Sequence, residues 1–370
     1  MREVLIIAGE ASGDLHAAGL ATALARIRPD LALAGVGGAR METAGVTLLE
    51  RSDRMAVMGF VEVIRQVPRH YALLSSLKRR LRSGRVALLV VIDYPGFNMK
   101  LAAAAAGAGV PVLYYITPQV WAWGAGRLDE LARIVTRAAT ILPFEESLLR
   151  SHGINATFVG HPLLDRMDEM PDRAGARRAL GLHDGDTVLA LFPGSRAQEI
   201  DRHLDDFVQT AKLLEARQPG LRVVVSAAPA VTIDPARCPY PRIPSASFTV
   251  LRAADAALCK SGTTTLEAAV AGCPLAVAYK TSPWTYAIAR RVVKIPNIGL
   301  VNVVAGREVA REFVQGAVIP ERIADTLAPL LTPGNPARTL MLDGLAEVRS
   351  RLGTPGAAGR VAAIASELAA

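Results

Sequence analysis

The chain carries two candidate general bases, each placed after an apolar run that is typical of a buried strand. Asp93 ends the run Val86–Ile92, the most apolar in the chain, so its carboxylate would be partly desolvated and suited to accept a proton. His16 follows the run Val4–Ala8, at the start of a predicted helix, and is the second candidate. An alternative role for Asp93 is simply to form the turn that precedes Pro95. A lone histidine such as His16 is often structural. The residues alone leave both interpretations open.

A second group of residues is suited to bind phosphate. Lys260-Ser261-Gly262-Thr263 lies where a predicted strand passes into a helix, so that backbone N–H groups, hydroxyls and a lysine come together. Arg196 follows Gly194-Ser195 after another strand, where it could hold a diphosphate and stabilise a charged leaving group. Glu267, in the first turns of the helix, could accept hydrogen bonds from ribose hydroxyls. An ordinary helix cap and a surface arginine are the competing interpretations.

The segment Met55–Arg82 combines apolar and basic side chains in a way that suits an anionic membrane surface. The commoner alternative is one amphipathic helix with a core-facing side and a solvated charged side. The side chains assigned to membrane or acyl-chain contact are Met58, Phe60, Val61, Ile64, Arg65, Arg69 and Tyr71. Aromatic residues make up only 5% of the chain and do not interleave with the basic run, so nucleic acid ranks below a membrane as the anionic partner.

The elements that must position these residues alternate between strand and helix. Short runs rich in Val, Ile and Leu precede glycine-rich turns and helical stretches, which predicts parallel sheets covered on both faces. The predicted fold class is α/β, with two tandem Rossmann-like, doubly wound domains facing a cleft. The predicted strands are Val4–Ala8, Leu31–Gly35, Val86–Ile92, Val112–Ile116, Thr140–Leu142, Ala156–Val159, Val188–Phe192, Arg222–Ser226, Ser247–Leu251, Ala256–Cys259 and Leu275–Tyr279.

Domain boundaries follow from a change in composition after Gly160-His161-Pro162. The charged, glycine-containing stretch 166–186 is predicted to link a first domain, 1–165, to a second domain, 187–345. Proline and glycine at 333–336 break the chain again, and a last helical segment covers 346–370.

Composition narrows the class of protein. The chain has 370 residues, 51% of them hydrophobic, and a formal net charge of +8, which excludes disorder for most of its length and favours anionic partners. Three cysteines without a CxxC pair indicate a reducing compartment. No dinucleotide fingerprint, GxxxxGK[ST] loop or HExxH motif is present, so we expect no cofactor and no metal. The sequence shows no export signal, and glycine and proline interrupt the uncharged run 101–126, so we expect a soluble protein.

Longer stretches carry a family resemblance. They are Gly9–Asp14, Val57–Val63, Asp93–Asn98, Pro118–Trp123, Leu142–Glu145, Val159–Pro162, Pro193–Arg196, Ser261–Glu267 and Asn302–Arg307. In this order, and over nearly the whole chain, they resemble the lipid-A-disaccharide synthases, which are bacterial glycosyltransferases of the GT-B fold.

The resemblance implies a reaction and a set of residues. The reaction joins UDP-2,3-diacylglucosamine to 2,3-diacylglucosamine 1-phosphate (lipid X), with inversion at the anomeric carbon, and gives UDP and the β-1,6-linked lipid A disaccharide. Asp93 becomes the implied base, with His16 second. The residues implied for the UDP-sugar are Gly194, Ser195, Arg196, Lys260, Ser261, Gly262, Thr263, Glu267 and Asn302. Those assigned to the acceptor loops are Ser12, Gly13, Asp14, Gly37, Gly38, Asn98 and Gln119.

The resemblance also implies a place in the cell. The enzyme would bind peripherally to the anionic cytoplasmic face of the inner membrane, its last helix would pack back on the first domain, and a homodimer is left open. Val301 replaces the usual proline, and the segment from Val250 to Asp255 is shorter than usual; both bear on the uridine contacts. The alternatives are another UDP-sugar enzyme of this fold, such as an epimerase or a glucosaminyltransferase, or a non-catalytic protein that binds a nucleotide sugar or lipid.

Overall fold

The computed structural model describes residues 2–52, 60–121, 126–228, 231–292 and 296–370, without the side chains of 60–67 and 288–292. The chain divides into two compact units. The first unit holds Met1–Asp165 together with Gly353–Ala370, and the second holds Arg166–Leu352. The second unit is therefore an insertion between two parts of the first.

The described part of the first unit contains a parallel seven-stranded sheet. Its strands are β1 (Glu3–Ala8), β2 (Ala32–Gly37), β3 (Thr47–Arg51), β4 (Val86–Ile92), β5 (Val112–Tyr115), β6 (Arg137–Thr140) and β7 (Ala156–Phe158). The order is β3-β2-β1-β4-β5-β6-β7, and the paired strands run parallel. The order reverses between the neighbours β1 and β4, which is the point where doubly wound sheets bind ligands.

Helices cover this sheet because its strands are apolar on both faces. They are α1 (Ala11–Ile27), α2 (Ala39–Thr43), α3 (Phe60–Leu81), α4 (Pro95–Gly107), α5 (Gly126–Ile134) and α6 (Glu145–Ser151). Side chains of β1 alternate between two cores. Leu5 and Ile7 lie in one core with Leu101 of α4, and Val4 lies in the other with Leu20 of α1.

The second unit contains a parallel sheet of six strands in its described part. The strands are β8 (Val188–Phe192), β9 (Arg222–Ala227), β10 (Arg242–Pro244), β11 (Ala256–Lys260), β12 (Leu275–Tyr279) and β13 (Glu312–Val314), in the order β10-β9-β8-β11-β12-β13. The helices are α7 (Arg173–Ala179), α8 (Ala197–Arg217), α9 (Ser247–Ala253), α10 (Thr264–Ala271), α11 (Pro283–Val292), α12 (Leu300–Ala305), α13 (Pro320–Leu331) and α14 (Pro336–Arg351).

The last helix, α15 (Ala357–Leu368), belongs to the first unit and packs against α1. Its first backbone N–H groups are capped by Asp165, which accepts hydrogen bonds from Gly356 at 2.5 Å and from Ala357 and Ala358 at 3.2 Å. Arg360 also donates to the carbonyl of Val159 at 2.8 Å. The chain leaves the first unit after Asp165 and re-enters it at Gly353. The hydrogen bonds of Asp165 and Arg360 therefore connect the chain segments on either side of the insertion.

Two parts of the sequence prediction differ from the structure. Residues 166–186, predicted as a linker, lie inside the second unit and include α7. Arg177 of α7 is buried, and its guanidinium donates to the Asp255 carboxylate at 3.0 Å, while Arg173 donates to the same group at 2.6 Å. Ser247–Leu251, predicted as a strand, is the helix α9, because Phe248 and Leu251 are buried at helical spacing.

Smaller differences concern strand ends and edges. The strand predicted at Thr140–Leu142 lies at Arg137–Thr140, and β3, β10 and β13 were not predicted. Among the described residues, none of the helices is both long enough and apolar enough to span a membrane.

Candidate functional site

The loops after β1 and β4 are in contact at the carboxyl edge of the first sheet. These strands are parallel neighbours, so the chain leaves them side by side. The ring of Tyr94 packs against Gly9 so closely that a Cβ atom on Gly9 would overlap the ring. The loop that carries Asp93 therefore rests on the loop that leads to His16, and the two candidate bases lie on neighbouring loops.

Asp93 sits in an unusual turn that buried side chains hold in place. Asp93 and Tyr94 both have left-handed backbone conformations, with φ of 47° and 48°, which non-glycine residues rarely adopt. The carbonyl of Asp93 accepts hydrogen bonds from Asn98 Nδ2 at 2.7 Å and from the Tyr114 hydroxyl at 3.0 Å. Asn98 donates to the carbonyl of Ile92 as well, at 3.1 Å. These bonds fix the backbone from which the Asp93 carboxyl projects.

The surroundings of Asp93 raise the pKa of its carboxyl group. Burial raises the pKa of Asp93, a hydrogen bond with the backbone of Tyr94 lowers it, and the negative charge of Glu10 raises it, with a net rise. Glu10 lies in the loop after β1, so the two loops act together. A carboxyl group with a raised pKa is a better proton acceptor near neutral pH, which suits a general base.

His16 lies half-buried on α1, with its ring near the edge of the Tyr115 ring at a centroid distance of 6.3 Å. A second histidine, His161, is buried nearby; burial and the charge of His16 lower the pKa of His161 to about 3. His161 is therefore neutral, and its Nδ1 accepts a hydrogen bond from the Leu163 N–H at 3.1 Å, which places its proton on Nε2. His16 stays a prediction as the second candidate base.

Asp14, assigned to the acceptor side, is a buried helix cap. Its carboxylate accepts backbone hydrogen bonds from Gly38 at 2.7 Å, Met41 at 3.1 Å and Arg40 at 3.2 Å. These N–H groups begin α2, so Asp14 joins α1 to the loop after β2. A Cβ atom on Gly38 would lie 2.6 Å from Asp14 Oδ2, so the approach requires glycine. Asp14 thus supports the loop rather than facing a ligand.

The other residues assigned to the acceptor side differ in exposure. Ser12 and Gln119 are exposed, so their side chains are available to a ligand. Gly13 and Gly37 are buried, and a Cβ atom on Gly37 would overlap a methionine sulfur of α2. Asn98 is fully buried, and within the described chain its Oδ1 has no hydrogen-bond partner. Gly13, Gly37 and Asn98 therefore support the loops from the protein interior and do not face solvent.

The predicted membrane segment falls partly outside the described residues. The predicted residues outside the described part are Met58 and, for their side chains, Phe60, Val61, Ile64 and Arg65. In the described part of α3, Leu77 is buried, Tyr71 is 64% exposed, and Arg69 donates to Glu50 at 3.2 Å. α3 therefore combines a core-facing side with an exposed aromatic and basic surface.

In the second unit, groups from the loop after β8 and from the end of β11 converge on one carboxylate. These strands are parallel neighbours. Glu199 accepts hydrogen bonds from the Ser195 N–H and from Lys260 Nζ, each at 2.9 Å. The Arg196 guanidinium lies 3.8 Å from the same carboxylate. Gly194, with φ of 141°, permits this approach, because a Cβ atom there would lie 2.5 Å from the Cβ of Glu199.

The first turn of α10 adds backbone donors to this edge. Gly262 precedes it with φ of 156°, and the Thr265 hydroxyl donates to the Gly262 carbonyl at 2.8 Å. The Ser261 hydroxyl donates to the carbonyl of Ile298 at 2.8 Å, and Thr263 is exposed. The first N–H groups of a helix have no partner within it, and the helix dipole favours an anion there. The start of α10 thus has the chemistry of a phosphate site.

Glu267 lies half-buried on α10, one turn further along. Burial raises its pKa, while a hydrogen bond with Ser247 and the charge of Arg166 lower it, with a net rise. Its partial exposure leaves it able to accept hydrogen bonds from a ligand hydroxyl.

Asn302, assigned to the UDP-sugar, uses its whole hydrogen-bonding capacity inside the protein. It is fully buried, and its Nδ2 donates to the Ala310 carbonyl and to Glu312, each at 2.7 Å. Its Oδ1 accepts from Val309 at 2.7 Å and from Ala310 at 2.9 Å. An asparagine has two donors and two acceptor sites, so no capacity is left for a direct contact with substrate. Asn302 holds the loop before β13.

Sequence reasoning missed three residues at these edges. Glu199 follows Arg196 by three residues on a helix, and this spacing was an available signal. Tyr114 gave no local signal of a role, because its partner Asp93 belongs to another strand end. Glu145 entered the sequence analysis only as part of the stretch Leu142–Glu145, because its partner Trp121 lies on another loop. Glu145 is buried at 3% exposure and accepts hydrogen bonds from Trp121 Nε1 at 3.0 Å and from a backbone N–H of its own loop.

Known proteins similar in sequence to this chain belong to one family. Residues 4–344 match the family model described as lipid-A-disaccharide synthetase. The chain is 42% identical over 373 residues to the lipid-A-disaccharide synthase of Myxococcus xanthus (strain DK1622), across 99% of this chain and 97% of that relative. In the part of the chain that the structure describes, no group of three or more His, Cys, Asp or Glu residues could hold a metal ion.

Solved structures with the same fold include an epimerase and a glycosyltransferase. The UDP-GlcNAc 2-epimerase from Neisseria meningitidis aligns with a TM-score of 0.60 and 12% identity, over 99% of this chain and 98% of its own. The calicheamicin glycosyltransferase aligns with a TM-score of 0.63 and 15% identity, over 100% and 98%. At such identities the likeness concerns the fold alone, and it confirms the predicted α/β fold of GT-B type.

Proposed function

Because the chain belongs to the lipid-A-disaccharide synthase family, we propose that it joins UDP-2,3-diacylglucosamine to 2,3-diacylglucosamine 1-phosphate. It is a glycosyltransferase, as the sequence predicts. The proposed products are UDP and the β-1,6-linked disaccharide 1-phosphate of lipid A. The observation that carries the proposal is the convergence of Lys260, Arg196 and the Ser195 N–H at one edge of the second sheet.

The proposed chemistry is a single displacement with inversion. The 6-hydroxyl oxygen of the acceptor attacks the anomeric carbon, and the bond from that carbon to the diphosphate oxygen breaks. The hydroxyl proton passes to a base, and the electron pair of the broken bond leaves on UDP. The protein must therefore supply a proton acceptor and positive charge beside the diphosphate.

Asp93 is the proposed base. Its pKa is raised by burial and by Glu10, and its backbone is fixed by Asn98 and Tyr114. His16, on the neighbouring loop, is the alternative.

The second sheet is proposed to hold the UDP part of the donor. Lys260, Arg196 and the N–H groups at the start of α10 would neutralise the diphosphate, and Glu267 would accept hydrogen bonds from the ribose. Positive charge at this place stabilises UDP as it leaves.

The surface of α3 is proposed to meet the acyl chains and the anionic cytoplasmic face of the inner membrane. Support comes from the exposed Tyr71 and from the basic residues of this helix. Binding to phosphatidylglycerol vesicles, measured by sedimentation, should weaken in a Tyr71→Ser, Arg69→Ser double variant. Equal binding by the variant and the wild type would remove α3 from this role.

The reaction is tested with purified protein in detergent and excess EDTA. Mass spectrometry after incubation with both lipids should reveal a disaccharide 1-phosphate. Absence of that product, from folded protein that binds UDP, would redirect the function to another acceptor or to binding alone.

The base is tested by Asp93→Asn, which should lower kcat by at least about 100-fold and leave UDP affinity unchanged. Asp129→Asn, an exposed aspartate on α5, is the matched control. If Asp93→Asn keeps its rate and His16→Gln loses it, the base is His16.

The diphosphate contact is tested by Arg196→Ala, which should weaken UDP binding and slow transfer. Arg202, exposed on the same helix α8, provides the control variant Arg202→Ala. Equal UDP affinity in both variants would make Arg196 an ordinary surface residue.

A further inference from the structure

Glu199 places a negative charge in the middle of the proposed diphosphate site. Its carboxylate accepts hydrogen bonds from Lys260 Nζ and from the Ser195 N–H, each at 2.9 Å. An ammonium group and a backbone N–H beside a helix start are also the groups that bind phosphate. Glu199 and a diphosphate therefore require the same donors.

The carboxylate is well placed to compete for these donors. The side chains of Glu199 and Lys260 are only 14% and 19% exposed, so water screens their attraction less than at the surface. Burial alone would raise the pKa of Glu199, but hydrogen bonds from Lys260 and Ser195, with the charges of Lys260 and Arg196, outweigh it and lower the pKa. Glu199 is consequently ionised at neutral pH.

Lys260 has a second favourable contact that does not depend on Glu199. Its ammonium lies over the ring of Tyr279, at 5.7 Å from the centroid. Lys260 can therefore exchange its anionic partner while Tyr279 keeps it at the edge of the sheet.

We propose that Glu199 is an internal anion of the nucleotide site, which competes with the diphosphate for Lys260 and the Ser195 N–H. When a nucleotide binds, these donors pass from the carboxylate to the phosphate oxygens. The competition lowers the affinity for UDP and favours its release after transfer. This inference rests on the proposed UDP site in the second unit.

The alternative is that Glu199 only positions Lys260 and keeps it in place while the phosphate binds. The two roles predict opposite results for Glu199→Gln, which removes the charge and keeps the size. Competition predicts that UDP binds at least about fivefold more tightly, because a like charge beside the phosphate is gone. Positioning predicts weaker binding, because Lys260 loses its orienting partner.

The chain offers a matched control on the same helix. Asp206 lies two turns after Glu199 on α8, and its carboxylate pairs with Lys280 at 2.5 Å. Asp206→Asn removes the same charge from a lysine pair, and the UDP affinity should stay within about twofold of wild type. A gain in both variants would point to the overall charge instead of the local competition and would overturn the proposal.

The experiment is titration calorimetry of wild type, Glu199→Gln and Asp206→Asn with UDP and, separately, with uridine. The proposal requires that Glu199→Gln tightens UDP and leaves uridine unchanged, since uridine has no phosphate. The gain should shrink in a Lys260→Ala background, where one of the two contested donors is absent. If UDP binds the wild type but not more tightly to Glu199→Gln, the proposal fails and the UDP site stands. If UDP binds none of the folded proteins, both fail.

Discussion

Glu145 should make the stability of the first unit depend on pH between 4.5, its ordinary pKa, and about 7. Its carboxylate is almost completely buried between Trp121 Nε1, at 3.0 Å, and the Leu142 N–H, at 3.1 Å. Burial raises the pKa of Glu145 to about 7, although hydrogen bonds with Trp121 and with the backbone of Leu142 and Ile141 lower it. Desolvation of the charged form therefore outweighs these donors.

The sign and size of the effect follow from the two pKa values of this group. The ordinary value is 4.5, so the unfolded chain releases the proton near that pH, whereas the folded protein keeps it to about pH 7. The folded state then binds more protons than the unfolded state, and stability falls as pH rises through this window. Over the whole window Glu145 should account for a loss of roughly 3 kcal/mol.

The test compares wild type with Glu145→Gln, which cannot titrate. Thermal unfolding is followed by tryptophan fluorescence between pH 4.5 and 8. Relative to the variant, the wild type should lose roughly 5–10 °C in Tm across this range. Glu130→Gln, an exposed glutamate on α5, should keep the pH profile of the wild type.

Parallel profiles of wild type and Glu145→Gln would refute the reasoning. Glu145 would then titrate near its ordinary value, and desolvation would not exceed the stabilisation from Trp121 and Leu142.

Three further predictions concern residues that support the site. Tyr114→Phe removes one hydrogen bond to the Asp93 carbonyl; it should cost about 1 kcal/mol in urea unfolding and lower kcat at least about threefold at unchanged UDP affinity. Asn302→Ala removes four buried hydrogen bonds and should destabilise the second unit by at least about 3 kcal/mol, while the folded protein binds UDP within about threefold of wild type. Asp165→Ala removes the cap of α15 and should cost about 1–2 kcal/mol, with faster amide hydrogen exchange in that helix.

For each of these three variants, one result would contradict the prediction. An unchanged kcat in Tyr114→Phe would show that the hydroxyl does not orient Asp93. Loss of UDP binding by folded Asn302→Ala would restore the direct contact that the buried geometry argues against. Unchanged exchange in α15 after Asp165→Ala would assign the ordering of that helix to its packing on α1.

The central strands were predictable because their signal is local. Val86–Ile92, Val188–Phe192 and Leu275–Tyr279 match β4, β8 and β12 from end to end, since each is a continuous apolar run bounded by polar residues or proline. The edge strands β3, β10 and β13 lack such a run, because a strand with an exposed edge needs fewer apolar side chains.

The loops of the candidate site were predictable for the same reason, but the partners of their side chains were not. Asp93 and Lys260 were found because a polar residue at the end of an apolar strand is visible in the sequence. Asn302 was assigned to the UDP-sugar by the family resemblance. Its burial could not be predicted, because it depends on β13, which the sequence did not indicate. Glu199 was overlooked because its partner Lys260 comes from another strand, 61 residues further along the chain.

The insertion of one unit into the other has a consequence for biosynthesis. During translation, β1–β7 leave the ribosome long before α15, which packs on α1 and is capped by Asp165. At ordinary elongation rates the intervening Arg166–Leu352 takes roughly ten to forty seconds to make. Throughout that interval the apolar side of α1 that α15 covers is exposed on the nascent chain. The second unit can complete its own folding first, so the part of the protein that is made earliest is the last to be finished.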